Sequence, residues 1–383
     1  MRHLSLAVVV ASLTACGTAV DPPRDALTVA IDSSGDVPMI TVSGEAPEWR
    51  LDSLAVIRPE PGVGFSNIRS LALDPRGGVW VADVGEGRLS RWGDDGSWIE
   101  DKGRVGSGPG EFRTPYSVAV HDGALQVLDI ENSRIVRFGF ETGTDTSWLV
   151  PSRVTGGATD VRLFPDPQGP RYMNYLHEPT PRVAFVRSTD STDMVFQPQN
   201  APGATANVKV CQIQGGIRFF GSPFAPGAVR TPWGASTVAT AEGEYQLDHF
   251  DRNAALVRSV RRPVTRDSIS DAEFEAENAD WVKFSGEHPG LACTGDIVRY
   301  QLKPAIRRLL PADDGHLWVE QRLAGGTFRF EVWDGDSLLG ALAAPTRIDE
   351  LPPSMLGDRL AVVAESPDGG HEVRLFRVVR PES

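Results

Sequence analysis

The segment that begins at Gly77, GGVWVADVGEGRLSRWGDDG, returns at Gly123 as GALQVLDIENSRIVRFGFETG. Asp83 corresponds to Asp129, Arg88 to Arg134 and Trp92 to Phe138, each pair 46 residues apart. Just upstream, SLALD (70–74) matches SVAVH (117–121) with the offset one residue longer. A repeat of this length constrains the fold more than any bulk property does. Each copy is one supersecondary unit with an apolar face that it cannot bury alone, so the copies must pack on one another. Apolar residues alternate with period two inside each copy, which gives three strands joined by turns.

Looser copies begin at Ala158, Ala235, Asp314 and Gly357, which makes six units over residues 67–379. Trp92, Phe138, Phe250, Trp333 and Phe376 end the third strand of their units, where a bulky side chain would fill the gap to the next sheet. Sheets stacked radially share a continuous core and leave only short edges. The expected architecture is therefore all-β, a six-bladed β-propeller over residues 45–380, with a two-layer sandwich as the alternative. The last unit offers three strands, near 348–351, 359–365 and 372–379. Residues 48–57, EWRLDSLAVI, would add the fourth and close the ring, removing two sheet edges. Residues 26–44 read as a hairpin or ordered extension. A helical insertion at about 266–285 separates units four and five. There Ser270 with Glu273 resembles a capping box, and Phe274, Trp281 and Phe284 share one face of an otherwise acidic segment.

The glycine-rich stretch GRVGSGPGEFRTPYSVAV (103–120) lacks the Lys-Ser/Thr pair of a phosphate loop and runs into a strand rather than a helix. It reads as the crossing from the outer strand of one unit to the inner strand of the next. Together, GSGPGEFRTPYSVAV and GALQVLDIENSRIVRF resemble an NHL repeat, closely over 103–138 and more loosely over 67–102. That resemblance implies a six-bladed propeller and little about activity, because such folds host many functions.

Residues 1–15 read as a secretory signal, with Arg2 and His3 ahead of an apolar run too short to span a bilayer. Leu13-Thr14-Ala15-Cys16 resembles the lipobox of bacterial lipoproteins. It implies acylation of Cys16, a tether over 16–25, and a lipid-anchored protein of the cell envelope, at the outer membrane facing the periplasm or the cell surface. An ordinary cleaved signal is the alternative. Cys211 and Cys293 are the remaining cysteines, and in an oxidising compartment they read as a disulfide or as two buried thiols. The net charge of −13, with no basic run longer than Arg261-Arg262, argues against a nucleic-acid partner.

Chemistry is sparse. None of the 7 histidines forms an H-x-H or H-E-x-x-H motif, and no G-x-S-x-G elbow is present, so no cofactor or catalytic residue is assigned. The Asp-rich turns WGDDG (92–96) and PADDGHLW (311–318) lack the alternating oxygen ligands of an EF-hand loop and read as ordinary turns. Phe219, Phe220, Phe224, Trp233, Trp281 and Phe284 cluster in and beside two long loops, 205–231 and 283–303. If exposed, these aromatics form a candidate surface for an envelope protein, a peptide or a carbohydrate; if buried, they form a satellite core. The expected function is non-enzymatic binding on one face. The alternative is a metal-dependent hydrolase or lyase acting on a lactone or glycan at the channel mouth.

Overall fold

A computed structural model describes residues 27–381 except 61–63, 142–144, 151–160, 165–170, 175–181, 188–190, 197–207, 215, 226–229, 234–235, 241–242, 252–254, 313, 323–326 and 347–350. The chain is all-β apart from two short helices among the described residues, α1 (Asp271–Glu277) and α2 (Ala279–Glu287). The strands form antiparallel four-stranded meanders in chain order. Sheet I holds Ile68–Leu73, Val79–Asp83, Arg88–Trp92 and Trp98–Lys102, and sheet II holds Pro115–His121, Ala124–Asp129, Arg134–Gly139 and Asp145–Leu149. Sheet III holds Val161–Phe164, Arg171–Asn174, Arg182–Arg187 and Ser191–Phe196, and sheet IV holds Arg230–Trp233, Ser236–Thr240, Gln246–Phe250 and Leu256–Arg261. Sheet V holds Arg308–Pro311, Leu317–Arg322, Phe328–Asp334 and Ser337–Ala343. Sheet VI holds Ser354–Leu356, Arg359–Glu365, His371–Val379 and, from the other terminus, Arg50–Ile57.

Burial follows from packing on both faces of a sheet, as sheets I and V show. The second strand of sheet I, VWVAD, is buried throughout, whereas its outer strand, WIEDK, is charged and largely exposed. Alternate residues point to opposite neighbours. Val79 and Val81 meet Ala361, Val363 and Val373 of sheet VI. Trp80 and Ala82 meet Val118, Leu125 and Val127 of sheet II. Leu317 and Val319 of sheet V likewise join Val238 and Leu247 of sheet IV, while Trp318 joins Leu360 and Val362 of sheet VI.

Trp92, Phe138 and Trp333 do fill gaps between sheets, but toward the preceding sheet rather than the following one. Trp92 sits in the core shared by sheets VI and I, and Trp333 in the core shared by sheets IV and V. Each meets an aromatic from outside its own meander. Trp92 stands edge-on to Phe65 at 5.9 Å, Phe138 edge-on to Phe112 at 5.9 Å, and Trp333 lies 6.1 Å from Tyr245.

A second repeated contact sets the spacing of the inner strands. The backbone N–H of Val118 donates to Ser70 Oγ at 3.1 Å, and that of Leu163 donates to Ser117 Oγ at 3.0 Å. These serines are the matched residues of SLALD and SVAVH. Ser117 is buried, so Ser117→Ala would strand the Leu163 donor and is expected to lower stability by about 1–3 kcal/mol. Urea unfolding would read this directly, and an unchanged midpoint would remove the clasp from the account.

The two termini share sheet VI. Arg50–Ile57 pairs antiparallel with His371–Val379, from Val379↔Arg50 to Val373↔Ile57. Sheet VI then meets sheet I, where the Leu73 N–H donates to Ser354 Oγ at 2.9 Å and Arg359 donates to the Asp74 carbonyl at 2.6 Å. The inner strand of sheet VI lies at Ser354–Leu356, later than the expected 348–351, of which 348–350 lie outside the described residues. Pro352 and Pro353 carry no backbone N–H, so the ladder starts beyond them.

Two further departures concern insertions. Segment 205–231, read as a loop, carries the hairpin Val208–Ile213/Gly216–Gly221, to which Cys293–Thr294 adds a third short strand. The expected helical insertion at about 266–285 is divided at Asn278, which caps α1 and starts α2. At the N-terminus, Thr28–Asp32 and Met39–Ser43 form a hairpin, and Met39–Thr41 runs parallel to Ser259–Arg261. Sheet IV thereby has six strands, and Ile40 and Val42 are buried in the core shared by sheets IV and V.

Candidate functional site

In a four-stranded meander the second-to-third turn and the exit to the next sheet lie at the same end. The connections before and after sheet IV therefore leave from one end, and both carry extra structure: the hairpin in the first, α1 and α2 in the second. They are joined covalently by Cys211–Cys293, with 4.1 Å between Cα atoms and a separation of 82 positions in the chain.

Hairpin register explains which side chains meet the helices. Lys209, Cys211, Arg218 and Phe220 share one face, because Cys211 lies opposite Arg218 and Lys209 opposite Phe220. Phe220 lies 5.1 Å from Trp281 and 4.8 Å from Phe284, which stacks on His288 at 4.4 Å. Two cations cover this cluster. Arg218 lies 5.0 Å from the Phe220 ring and 4.7 Å from the Phe284 ring, and Lys209 lies 5.2 Å from the Trp281 ring. Such contacts are worth roughly 0.5–1 kcal/mol each at exposed sites.

The acidic side chains of the helical segment serve as anchors. Glu273 completes the capping box with Ser270 and accepts from the Lys303 ammonium at 2.7 Å. The Lys303 hydrogen bond, with those from Ser270, holds the Glu273 carboxyl down at about 2. Asp271 pairs with Arg299, and Glu277 pairs with Arg322 of sheet V at 2.5 Å. Arg322 also lies over Phe224 at 4.8 Å, which places the end of the hairpin segment on sheet V.

Of the six aromatics singled out in the sequence, the structure brings three together: Phe220, Trp281 and Phe284. Phe220 and Phe284 are buried, with Trp281 packed against them, so these rings form the satellite core of the insertion. Phe219 points to the other hairpin face and is 42% exposed. Phe224 belongs with Arg322. Trp233 belongs to sheet IV, where its indole N–H donates to the Gly315 carbonyl at 2.7 Å and its ring lies 5.5 Å from His249. Burial, reinforced by Arg258, pushes the His249 imidazole down to about 4, so it is neutral at ordinary pH. Lys209, Arg218 and His288 were not foreseen; the alternation of KVCQI against GIRFF was the only signal for the first two, and nothing local marks His288. Cys16 lies outside the described residues.

The remaining motifs resolve into turn locks. Asp94 accepts from the Gly78 N–H at 2.9 Å and from Arg359 at 3.1 Å, and Asp95 accepts from the Ser97 N–H at 2.9 Å. No group of three or more His, Cys, Asp or Glu side chains among the described residues is placed to hold a metal ion. In the glycine-rich crossing the carbonyls face inward to a cation. Arg134 donates to the oxygens of Ser107, Gly108 and Glu111, so the stretch is no anion cradle. Gly103 has φ +86° with the Phe112 ring against its α-carbon, and no other residue satisfies both conditions. None of the described helices is long and apolar enough to cross a membrane.

Replacing both Cys211 and Cys293 with serine is expected to lower stability by about 2–4 kcal/mol. Amide exchange should accelerate in Val208–Ile213, α1 and α2 while Val79–Asp83 stays protected. Unchanged exchange across the insertion would show that the bridge does not brace it.

No family model matches the chain, and no curated protein matches it. Solved structures do align along most of its length. A Bacteroides fragilis protein described as exported is 12% identical, covering 90% of this chain and 100% of that one, with a TM-score of 0.48. Virginiamycin B lyase from Staphylococcus aureus is 8% identical, covering 86% and 100%, with a TM-score of 0.43. Regucalcin from Agrobacterium tumefaciens, a calcium-binding protein, is 15% identical, covering 88% and 97%, with a TM-score of 0.41. Propeller proteins are thus among the structural neighbours, and likeness at this level assigns no activity to this chain.

Proposed function

We propose that this chain is a six-bladed β-propeller closed by Arg50–Ile57 and held to the cell envelope by acylated Cys16. It works without catalysis, presenting the disulfide-braced insertion to an envelope protein, a peptide or a carbohydrate. The 46-residue repeat, the consecutive meanders packed neighbour to neighbour and the shared sheet VI support the ring. The binding role rests on one observation. Both connections flanking sheet IV are extended, and they converge into one unit with its own core, bridge and anchors. A ring needs no such structure for its stability, so its surface is the part of the chain free to vary with a ligand.

Ile217, 55% exposed at the hairpin, is the position to probe. A photo-crosslinking amino acid placed there in intact cells is expected to give a discrete adduct with one envelope component. The same group at exposed Asp95, on the opposite end of the meanders, should not. Equal adducts from both positions, or none from Ile217, would overturn the reading.

A further inference from the structure

The outermost strand of the six-stranded sheet IV is Thr28–Asp32, and all five of its residues are exposed. One edge pairs with Met39–Ser43 in an unshifted register; the other has no strand partner among the described residues. Val29 lies opposite Val42 and Ile31 opposite Ile40, so both share the sheet face that enters the core. Yet Val29 is 61% and Ile31 67% exposed. The apolar face therefore continues one strand beyond the core that uses it.

Natural sheets guard such edges with lysine, proline, a bulge or a covering element. The strand TVAID has no lysine or proline, and its pairing has no bulge. Its one charge, Asp32, accepts from the Ser34 N–H at 2.9 Å and is engaged in its own turn. By contrast, the outer strand of sheet I carries Glu100, Asp101 and Lys102.

We infer that Thr28–Asp32 is a docking edge for the same strand of a second copy of this chain, paired antiparallel about a two-fold axis through Ala30. The sequence is self-complementary in this register. Val29 faces Ile31 of the other copy, Thr28 faces Asp32, and Ala30 faces Ala30. Apolar β-branched pairs directly opposite one another stabilise a ladder, and no like charges meet. Sliding the copies by one residue sets Val29 against Asp32, and centring the pair on Asp32 sets two carboxylates together. The contact is isologous, so it closes at two copies and does not propagate. Five residues a side bury far less than the roughly 1,600 Å² of a standard interface, so the dimer is weak and concentration-dependent.

Sedimentation velocity across a dilution series tests this on the secreted chain carrying Cys16→Ser, which removes the lipid acceptor. A monomer–dimer equilibrium is expected, with Ile31→Lys raising the dissociation constant by about tenfold or more. In a second variant, Ala30→Cys places a thiol on the symmetry axis and should give a disulfide-linked dimer under mild oxidation. A monomer at every concentration, a dimer indifferent to Ile31→Lys, or an Ala30→Cys variant that stays monomeric or couples to a different protein would each overturn the assignment. Ala30 and Ile31 are both exposed, so neither variant disturbs the core.

Discussion

Truncating Trp49 to alanine is expected to destabilise the protein by about 3–5 kcal/mol, a cost typical of a large side chain removed from a core. Trp49 precedes the strand that completes sheet VI, and it is 95% covered there because its relative exposure is only 5%. Its backbone N–H donates to the Ala341 carbonyl at 2.6 Å, and the Ala341 N–H donates to the Pro47 carbonyl at 2.9 Å. The indole lies edge-on to Trp318 at 6.5 Å, beneath the Arg380 guanidinium at 4.8 Å. It also occupies the space over Gly340 that any β-carbon would take. The N-terminal segment is thus fastened to sheet V as well as to sheet VI, and losing the ring loosens both seams. Urea unfolding at neutral pH measures the effect. Trp98→Ala, at an outer-strand residue that is 57% exposed, is the control and should change stability by no more than about 0.5 kcal/mol. Equal small shifts for both variants would show that the first segment is not part of the fold's cooperative core.

Arg262→Met is expected to have an effect of similar size for a different reason. Arg262 donates through Nε to Glu331 Oε1 at 2.9 Å and through Nη1 to the Gly44 carbonyl at 2.9 Å, and both side chains of the ion pair are buried. The pair joins the exit of sheet IV, the third strand of sheet V and the end of the N-terminal hairpin. Next to it the Trp333 indole N–H donates to the Tyr245 hydroxyl at 2.9 Å. Burial, with Glu331 beside it, pushes the Tyr245 phenol well up. Removing the cation leaves a carboxylate in the core without its charge partner, which costs about 3–5 kcal/mol. Removing both members, as Arg262→Met with Glu331→Leu, should recover much of that loss, because the desolvation of both charges disappears together. If the single variant were as stable as the parent, Glu331 would have to be served by water rather than by Arg262.

These effects show which parts of the molecule a sequence can announce. The repeat was legible because its residues do the same backbone work each time. Asp83 accepts from the N–H groups of Ser66, Asn67 and Gly85, and Asp129 accepts from that of Thr114 and from Asn132. The matched arginines were legible as positions but not as partners. Arg134 holds the carbonyls of the glycine-rich crossing, whereas Arg88 turns to Asp101 at 2.8 Å. The shared sheet VI could be foreseen because the last unit lacked a strand and an alternating segment stood unclaimed near the other end. Nothing local marks Met39–Thr41 as a parallel partner of Ser259–Arg261, since parallel pairing between distant segments leaves no turn signal. The hairpin at 208–221 had only the short runs KVCQI and GIRFF as its signal, and the division of the helix only Asn278. At the candidate site the six aromatics were visible as a group. Which face of a strand each occupies depends on the register of Val208–Ile213 against Gly216–Gly221, and that was not visible.

The proposed ring is tested most directly by asking whether its ends meet in solution. Asp52 and Arg377 are paired across the Arg50–Ile57 and His371–Val379 strands, although almost the whole chain lies between them. With both changed to cysteine, mild oxidation of the folded protein should form an intramolecular bond between them, readable as a cross-linked peptide after digestion. Two free thiols in a protein that is folded and otherwise intact would mean that the termini lie apart and that the sheets do not close on one another.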